Sequence, residues 1–296
     1  MNNMKFYFWF FLVLTFFLFE NIFSNAYGDS ENNISIRDQN MIVEEYISGL
    51  KFPVMIDFID NDILIIEKEK GTVRIVKNDI LLDEPILKLD VSKTIEEGLV
   101  GIFVQNNDVY LHYTTNDDNN LTSNWFVKYS WDGKKLINPV ELLSFHNGNG
   151  MHNSGIMIAN DEGKIFGGIG DTGIVGKFQN EISSELNKTG TIISLHDPDE
   201  IYAVGIRNSY GLDFDPKTGI LWDTENGPDA FDEINLVEKN FNSGWNKIQG
   251  PITENQQTPK LDGYVYSDPE FSWERPIGVT AIHFMNSDFF PSYEDS

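Results

Sequence analysis

Residues 211–225 read GLDFDPKTGILWDTE: an apolar run, a polar turn and a second apolar run. The turn contains Asp-Pro and a glycine, which are residue types that favour reverse turns. The flanking runs are rich in aliphatic and aromatic residues, which favour strands. The stretch therefore predicts a β-hairpin.

Similar hairpin patterns recur along the chain, and no long amphipathic helix pattern lies between them. Their spacing of about 45–65 residues is typical of the four-stranded blades of a β-propeller. We therefore predict an all-β propeller with about four blades and the first strand of a fifth, and a β-sandwich is the alternative. The other copies are PVMIDFIDNDILIIE from Pro53, GIFVQNNDVYLHYT from Gly101, GIMIANDEGKIFGGIGD from Gly155 and the single strand GVTAIHF from Gly278.

The composition narrows the classes of function. Asp and Glu number 46 against 21 Lys and Arg, a formal net charge of −25. Such a chain repels phosphate backbones, so we expect no nucleic-acid partner. The chain has no cysteine, which excludes disulfides, thiolate nucleophiles and cysteine-bound metals.

The N-terminus predicts export. Lys5 precedes an apolar run from Phe6 to Phe19, and small residues follow at Ser24 and Ala26. This pattern is typical of a secretory signal peptide, and the run is shorter than the ~20 residues of a spanning helix. We predict a signal peptide over residues 1–26, a polar tether over 27–42 and the propeller domain over 43–296. The protein would then be secreted or extracytoplasmic, with no membrane span unless the leader stays uncleaved as an anchor.

Several short motifs follow one another in a fixed order around these hairpins. Together they resemble the soluble PQQ-dependent aldose sugar dehydrogenases, the glucose/sorbosone dehydrogenase family, over about residues 43–284. No single motif is specific, but their joint order and spacing are. The motifs are EEGLVG from Glu96, HNSG from His152, IGD from Ile169, Arg207-Asn208, ENGP from Glu225, DEIN from Asp232 and Gly244-Trp245.

The resemblance implies a six-bladed propeller that oxidises aldose sugars at the anomeric carbon to lactones. Hydride would pass to PQQ, with calcium as a second cofactor, and electrons would leave to an external acceptor. The family's basic residues for the PQQ carboxylates lie in the last two blades, which this sequence lacks. On this ground the chain is expected to be a fragment, truncated after its fourth blade.

His152 is the predicted catalytic base. An imidazole titrates near neutral pH and suits removal of a hydroxyl proton, and the family's base matches this position. Asp171 ends the same hairpin, so it is predicted to orient the imidazole. The other four histidines, at positions 112, 146, 196 and 283, are assigned structural or surface roles.

Arg207 and Asn208 open the next repeat and are the predicted PQQ-binding pair, because a guanidinium beside a quinone would stabilise developing negative charge. The resemblance assigns the backbone carbonyls of Gly227 and Pro228 to calcium, a cation that accepts such oxygens.

Glu96 and Met151 match positions that contact sugar in some relatives, which carry Gln and Asp there. The sugar preference therefore cannot be carried over. Two other functions stay open. One is a calcium-dependent lactonase-type hydrolase, which would need several acidic side chains converging on the metal. The other is an extracellular binding propeller without catalysis.

Overall fold

The structure is a computed structural model that describes residues 42–94, 96–117, 121–146, 150–173, 176–181 and 188–285. The chain divides into two units, Met1–Ser48 and Gly49–Ser296. Every strand belongs to the second unit. The predicted signal peptide and nearly all of the tether lie outside the described residues, and no helix among the described residues has the length and hydropathy of a membrane span.

The first two sheets are antiparallel, and their strands follow chain order. Sheet 1 contains β1 (Pro53–Ile59), β2 (Asp62–Glu67), β3 (Thr72–Lys77), β4 (Ile80–Leu81) and β5 (Leu87–Lys88), and β5 pairs with β3. Sheet 2 contains β6 (Leu99–Gln105), β7 (Asp108–Asn116), β8 (Thr122–Trp131) and β9 (Leu136–His146).

Sheet 3 contains β10 (Met157–Ala159), β11 (Ile165–Ile169), β12 (Thr191–Ser194) and β13 (Ile201–Val204). Sheet 4 contains β14 (Ser209–Phe214), β15 (Leu221–Glu225) and β16 (Asp232–Val237), and β19 (Phe271–Trp273) closes it. Two short strands, β17 (Phe241–Asn242) and β18 (Val265–Tyr266), extend sheet 3 in parallel from β13. The only helix among the described residues is one 3₁₀ turn, Lys177–Gln179.

The hairpin prediction is confirmed at each of the four complete copies, and turn chemistry explains why. Asp60 and Asn106 each lie in a two-residue turn with positive φ, a conformation that Asp and Asn tolerate well. In three of the four hairpins the first strand carries a register shift at the equivalent place, between Pro53 and Met55, Leu99 and Gly101, and Ser209 and Gly211. The copies are thus equivalent in backbone detail as well as in sequence.

Consecutive sheets pack through their first strands. The strand β6 contacts β1 and β2, and β10 contacts both β6 and β14. Gly101 shows why these repeats open on glycine: a Cβ there would lie 2.0 Å from the carbonyl oxygen of Gly155, so only glycine allows the two backbones to approach. The apolar residues between neighbouring sheets form three successive clusters, which include Leu64, Phe126 and Leu212.

One face of β1 is an exception to this burial. Val54, Ile56 and Phe58 alternate along the strand and are 41%, 54% and 57% exposed. Hairpin alignment places Ile102 and Val104 of β6 at the positions of Ile56 and Phe58, and those two residues pack into the cluster between sheets 1 and 2. We call Val54, Ile56 and Phe58 the β1 stripe.

The predicted strand at Gly278 is wrong, because residues 278–285 form no β-ladder. The segment nevertheless lies along β14: the Phe284 N–H donates to Asp213 Oδ2 at 2.8 Å, as the Val104 N–H of β6 donates to Asp57 Oδ2 of β1 at 2.6 Å. A strand needs a partner strand for its hydrogen bonds, and among the described residues none follows this segment.

Candidate active site

His152 lies in the loop between β9 and β10, close to the start of sheet 3. Its backbone φ is +52°, a left-handed conformation that is uncommon outside glycine and is often found at functional sites. Two contacts hold the loop. The His152 N–H donates to Glu96 Oε2 at 2.5 Å, and the His152 carbonyl oxygen lies so close to Gly170 that a Cβ there would be only 2.0 Å away.

The His152 ring sits between a carboxylate and a guanidinium. Its Nδ1 is 2.6 Å from Asp171 Oδ1, and its Nε2 is 3.0 Å from Arg207 Nη2. A guanidinium can only donate, so Nε2 must be the acceptor and carries no proton. The proton of the neutral ring therefore lies on Nδ1 and is donated to Asp171. This tautomer leaves the lone pair of Nε2 as the basic position.

Asp171 is itself held from several sides. The Trp245 indole N–H donates to Oδ2 at 2.7 Å, and the Gly173 N–H donates to Oδ1 at 2.8 Å. The Asp171 backbone N–H donates to the carbonyl oxygen of Arg207 at 2.8 Å, which joins the end of sheet 3 to the start of sheet 4. The carboxylate is almost fully buried. These bonds leave it little freedom to rotate away from His152.

Arg207 is fixed by contacts at both its backbone and its side chain. The backbone N–H donates to Glu225 Oε1 at 2.7 Å, and Nη1 donates to the carbonyl oxygen of Asn226 at 2.8 Å. The guanidinium carbon lies 5.5 Å from the ring centre of Trp245, within cation–π range. Its Nε is buried and has no acceptor among the described residues. Arg207 thus retains one unsatisfied donor for a ligand.

Beneath Arg207 lies a group of buried acids on β15 and β16, where Glu225 and Glu233 are directly paired across the two strands. Burial raises the pKa of Asp223 to about 6 and that of Glu233 to about 7. Burial, followed by the charges of Glu233 and Asp223, raises the pKa of Glu225 well above its usual value. The group therefore favours its protonated forms under the backbone of Arg207.

The predicted calcium ligands, Gly227 and Pro228, are the next two residues in the chain after Asn226. Gly227 is buried, and its N–H donates to Asp232 Oδ1 at 2.9 Å, whereas Pro228 is exposed. A Cβ at Gly227 would lie 2.1 Å from the carbonyl oxygen of Ala230, so the turn needs glycine. The Gly227 and Pro228 carbonyl oxygens accept no hydrogen bond from the described part of the chain.

Asn208 is buried and serves the loop that carries His152. Its Oδ1 accepts from the Ser154 N–H at 3.2 Å, and its backbone carbonyl accepts from the Asn226 N–H at 3.0 Å. The first bond holds the loop that carries His152, and the second joins the two ends of the β14–β15 hairpin. Its predicted contact with PQQ stays a prediction.

The two predicted sugar positions flank His152. Glu96 binds the His152 backbone, and Met151 is 46% exposed beside it. Tyr210 also lies here: burial, and then the charge of Glu96, raises its pKa, and its side chain hydrogen-bonds Asn208. Glu96, Met151 and Tyr210 thus lie near the loop that carries His152.

Three of the remaining histidines fit the roles predicted for them. His112 is fully buried, stacks on Phe126 at 4.2 Å and hydrogen-bonds Asn124 Oδ1 at 2.9 Å, so it is structural. His283 is largely exposed beside Asp213. His196 is exposed, and its Nδ1 accepts from the N–H of Ile165, the first residue of β11. His146 ends β9, and its side chain lies outside the described residues.

The structure therefore brings together His152, Asp171 and Arg207, with Asn226–Pro228 adjoining Arg207. The sequence motifs contained two further participants without revealing their contacts. Trp245 was visible only as part of a Gly-Trp pair, and Glu225 only as the start of ENGP. Their bonds to Asp171 and Arg207 span 74 and 18 residues of sequence, so no local periodicity could report them.

Comparisons with known proteins point to one family. The glucose/sorbosone dehydrogenase family model matches residues 50–296. The Escherichia coli aldose sugar dehydrogenase YliI is 29% identical over 166 residues, 49% of this chain and 43% of the relative. Quinoprotein glucose dehydrogenase B from Acinetobacter calcoaceticus is 26% identical over 196 residues, 52% of this chain and 41% of the relative. The chain thus spans about two fifths of the length of these two relatives.

The fold has solved counterparts. The PQQ-bound aldose sugar dehydrogenase from Streptomyces coelicolor superposes with a TM-score of 0.64 at 22% identity, over 79% of this chain and 71% of that one. This likeness supports the propeller fold, and the family match covers all four sheets. The chain belongs to the glucose/sorbosone dehydrogenase family.

Proposed function

We propose that this protein is a quinoprotein that oxidises aldose sugars at the anomeric carbon to lactones. The observation that carries the proposal is His152, whose Nδ1 is bound to a buried carboxylate while its Nε2 faces a guanidinium. This arrangement supplies a base and a positive charge side by side. Family membership supports sugar as the substrate.

The described residues offer part of a PQQ site. Arg207 offers a buried Nε that lacks an acceptor, and its planar guanidinium can bind carboxylate or quinone oxygens. The PQQ named for the Streptomyces structure supports the same cofactor here. Arg207 and Asn208 would hold it beside His152. Bound PQQ would supply the hydride acceptor for the reaction.

Calcium fits the donor set less directly. The Gly227 and Pro228 carbonyls are free of hydrogen bonds within the described residues, and neutral carbonyl oxygens suit a hard cation. The described residues contain no group of three or more His, Cys, Asp or Glu side chains able to hold a metal. A calcium ion would therefore depend on backbone carbonyls and ligand oxygens, and it would supply positive charge next to the bound cofactor.

The chain's own residues perform the proton transfer. The sugar hydroxyl takes the place of Arg207 Nη2 at His152 Nε2, which accepts the proton. Asp171 then faces an imidazolium and stabilises its charge, while keeping Nδ1–H pointed away from the substrate. Once protonated, the His152 ring would repel the Arg207 guanidinium, which lies 3.0 Å away. The donors of Arg207 would then turn to the oxygens of bound PQQ. Glu96, Met151 and Tyr210 would contact the sugar.

The test is dye-coupled aldose oxidation by the full chain, with and without added PQQ and calcium. We expect turnover only with quinone, and loss of turnover in His152→Ala but not in the matched surface variant His196→Ala. Chelation of calcium should release PQQ, as followed by its absorbance. Turnover without any bound quinone would contradict the proposal.

Two alternatives make different predictions. A lactonase-type hydrolase needs acidic side chains converging on a metal, and the described residues provide no such group. It would hydrolyse lactones with calcium alone. A binding propeller would retain a sugar without turning it over.

The proposal also includes an external electron acceptor and an extracytoplasmic location. Export of a tagged chain into the medium or periplasm tests the location.

A further inference from the structure

Trp245 contacts both of the charged groups that bracket His152. Its indole N–H donates to Asp171 Oδ2 at 2.7 Å, and its ring lies 5.5 Å below the guanidinium carbon of Arg207. The carboxylate and the guanidinium in turn bind opposite nitrogens of the imidazole. The Trp245 side chain therefore contacts both of the groups that bind the His152 ring, the Asp171 carboxylate and the Arg207 guanidinium.

Trp245 is itself held firmly. Its backbone N–H donates to the Gly205 carbonyl at 3.1 Å, and its carbonyl accepts from Asn180 Nδ2 at 2.6 Å. It follows β17, whose pairing with β13 fixes the segment to sheet 3. The indole is consequently placed by the sheet that also carries Asp171, and its position does not depend on a ligand.

The two contacts have separable effects. The indole is the one N–H donor to Oδ2 of Asp171 within the described residues, and a hydrogen bond to a charged group is worth more than one between neutral groups. The π face attracts Arg207 whether or not the ring carries an N–H. Removing the N–H alone should loosen Asp171, and removing the aromatic ring should also release Arg207.

We propose that Trp245 is a positioning residue for His152: its N–H fixes the orientation of Asp171, and its ring fixes Arg207 beside the imidazole Nε2. This assignment rests on the proposed function. The sugar and the cofactor need not touch Trp245, because it acts through its two neighbours.

The matched variants are Trp245→Phe, Trp245→Leu and Trp125→Phe. Phe keeps the aromatic face and loses the N–H, and Leu loses both. Trp125 of sheet 2 donates its indole N–H to Thr115 Oγ1 at 2.9 Å, so its Phe variant removes a similar bond away from the site. We expect kcat to fall on the order of tenfold in Trp245→Phe, with the sugar KM unchanged. Trp245→Leu should fall further and also bind PQQ more weakly.

A second readout needs no activity. In ¹⁵N-histidine-labelled full chain without cofactor, the His152 Nδ1–H proton should give a downfield, slowly exchanging signal, assigned by its loss in His152→Asn. We expect this signal to move upfield and exchange faster with water in Trp245→Phe, and to stay in place in Trp125→Phe. An unchanged signal in Trp245→Phe would overturn the proposal. If the wild-type chain shows no quinone-dependent turnover but the signal moves as expected, the positioning role stands and the proposed function falls.

Discussion

His112 and His152 carry the same side chain in opposite surroundings. His112 lies wholly inside sheet 2, stacked on Phe126, with a neutral amide as its hydrogen-bond partner, and burial lowers its pKa to about 4. His152 lies at the edge of sheet 3 between a carboxylate and a guanidinium, with 12% of its side chain exposed. The first ring is kept neutral by the apolar core, whereas the second has a charged partner for either protonation state.

The comparison shows what makes a histidine usable as a base. A buried ring with a neutral partner stabilises the fold only while it stays uncharged. A ring with a fixed carboxylate on one nitrogen and an unprotonated second nitrogen can accept a proton and lose it again. The four predictions below test this difference, from the largest expected effect to the smallest.

The largest effect is on turnover. His152→Ala should reduce kcat by ~10²–10⁴, the usual contribution of a positioned general base, while leaving PQQ binding largely intact. Dye-coupled aldose oxidation measures the first quantity, and the absorbance of bound quinone measures the second. Wild-type turnover in this variant would remove the distinction between the two histidines.

His112 should instead govern stability in acid. Its folded pKa lies below the usual 6.5, so the unfolded chain binds the proton first, and stability is lost as the pH falls from about 6.5 through about 4. From the size of the shift, the loss is about 3 kcal/mol in the free energy of unfolding. His112→Phe keeps the stacking and should abolish this acid-dependent part, as measured by urea unfolding at pH 7 and pH 4. An equal pH dependence in both proteins would contradict the assignment.

Glu233 should act with the opposite sign. Burial raises its pKa to about 7, so the folded chain binds the extra proton, and its contribution to stability falls as the pH rises from about 4.5 to about 7. Glu233→Gln should therefore raise the free energy of unfolding at pH 8 by on the order of 3 kcal/mol and leave it nearly unchanged at pH 4. In the wild type the two slopes partly cancel between pH 4.5 and 6.5, so each variant should reveal the slope of the other group.

The smallest effect belongs to the exposed ring. His196 is on the surface just after β12, and its Ala variant should change the free energy of unfolding by no more than about 0.5 kcal/mol. Denaturant unfolding at pH 7 checks this. A loss comparable to that expected for His112 would mean that burial does not separate the structural histidines from the rest.

The sequence predicted the hairpins well because each depends on local chemistry. Apolar runs around Asp60 or Asn106 specify both the strands and the turn, and the closeness of His152 and Asp171 follows from their places at the two ends of one hairpin. The strand prediction at Gly278 was wrong because a strand-like composition does not show whether a partner strand exists.

What the sequence left out is mostly long-range. The bond from Trp245 to Asp171 joins residues 74 apart, and the pairing of Glu225 with Glu233 depends on the register of β15 against β16. Such contacts leave no period-two or helical signature to detect. The roles assigned to Arg207, Asn208, Gly227 and Pro228 remain predictions that ligand binding must test.

The β1 stripe has a consequence for how this molecule behaves among its own copies. The three exposed apolar side chains of the β1 stripe favour hydrophobic contact between copies of the chain. The formal net charge of −25 opposes that contact, because like-charged copies repel each other. Added salt shortens the range of that repulsion to about 8 Å at physiological ionic strength and leaves the β1 stripe as attractive as before. The colloidal stability of the protein is therefore expected to fall as salt rises, with the outer face of β1 as the first point of contact.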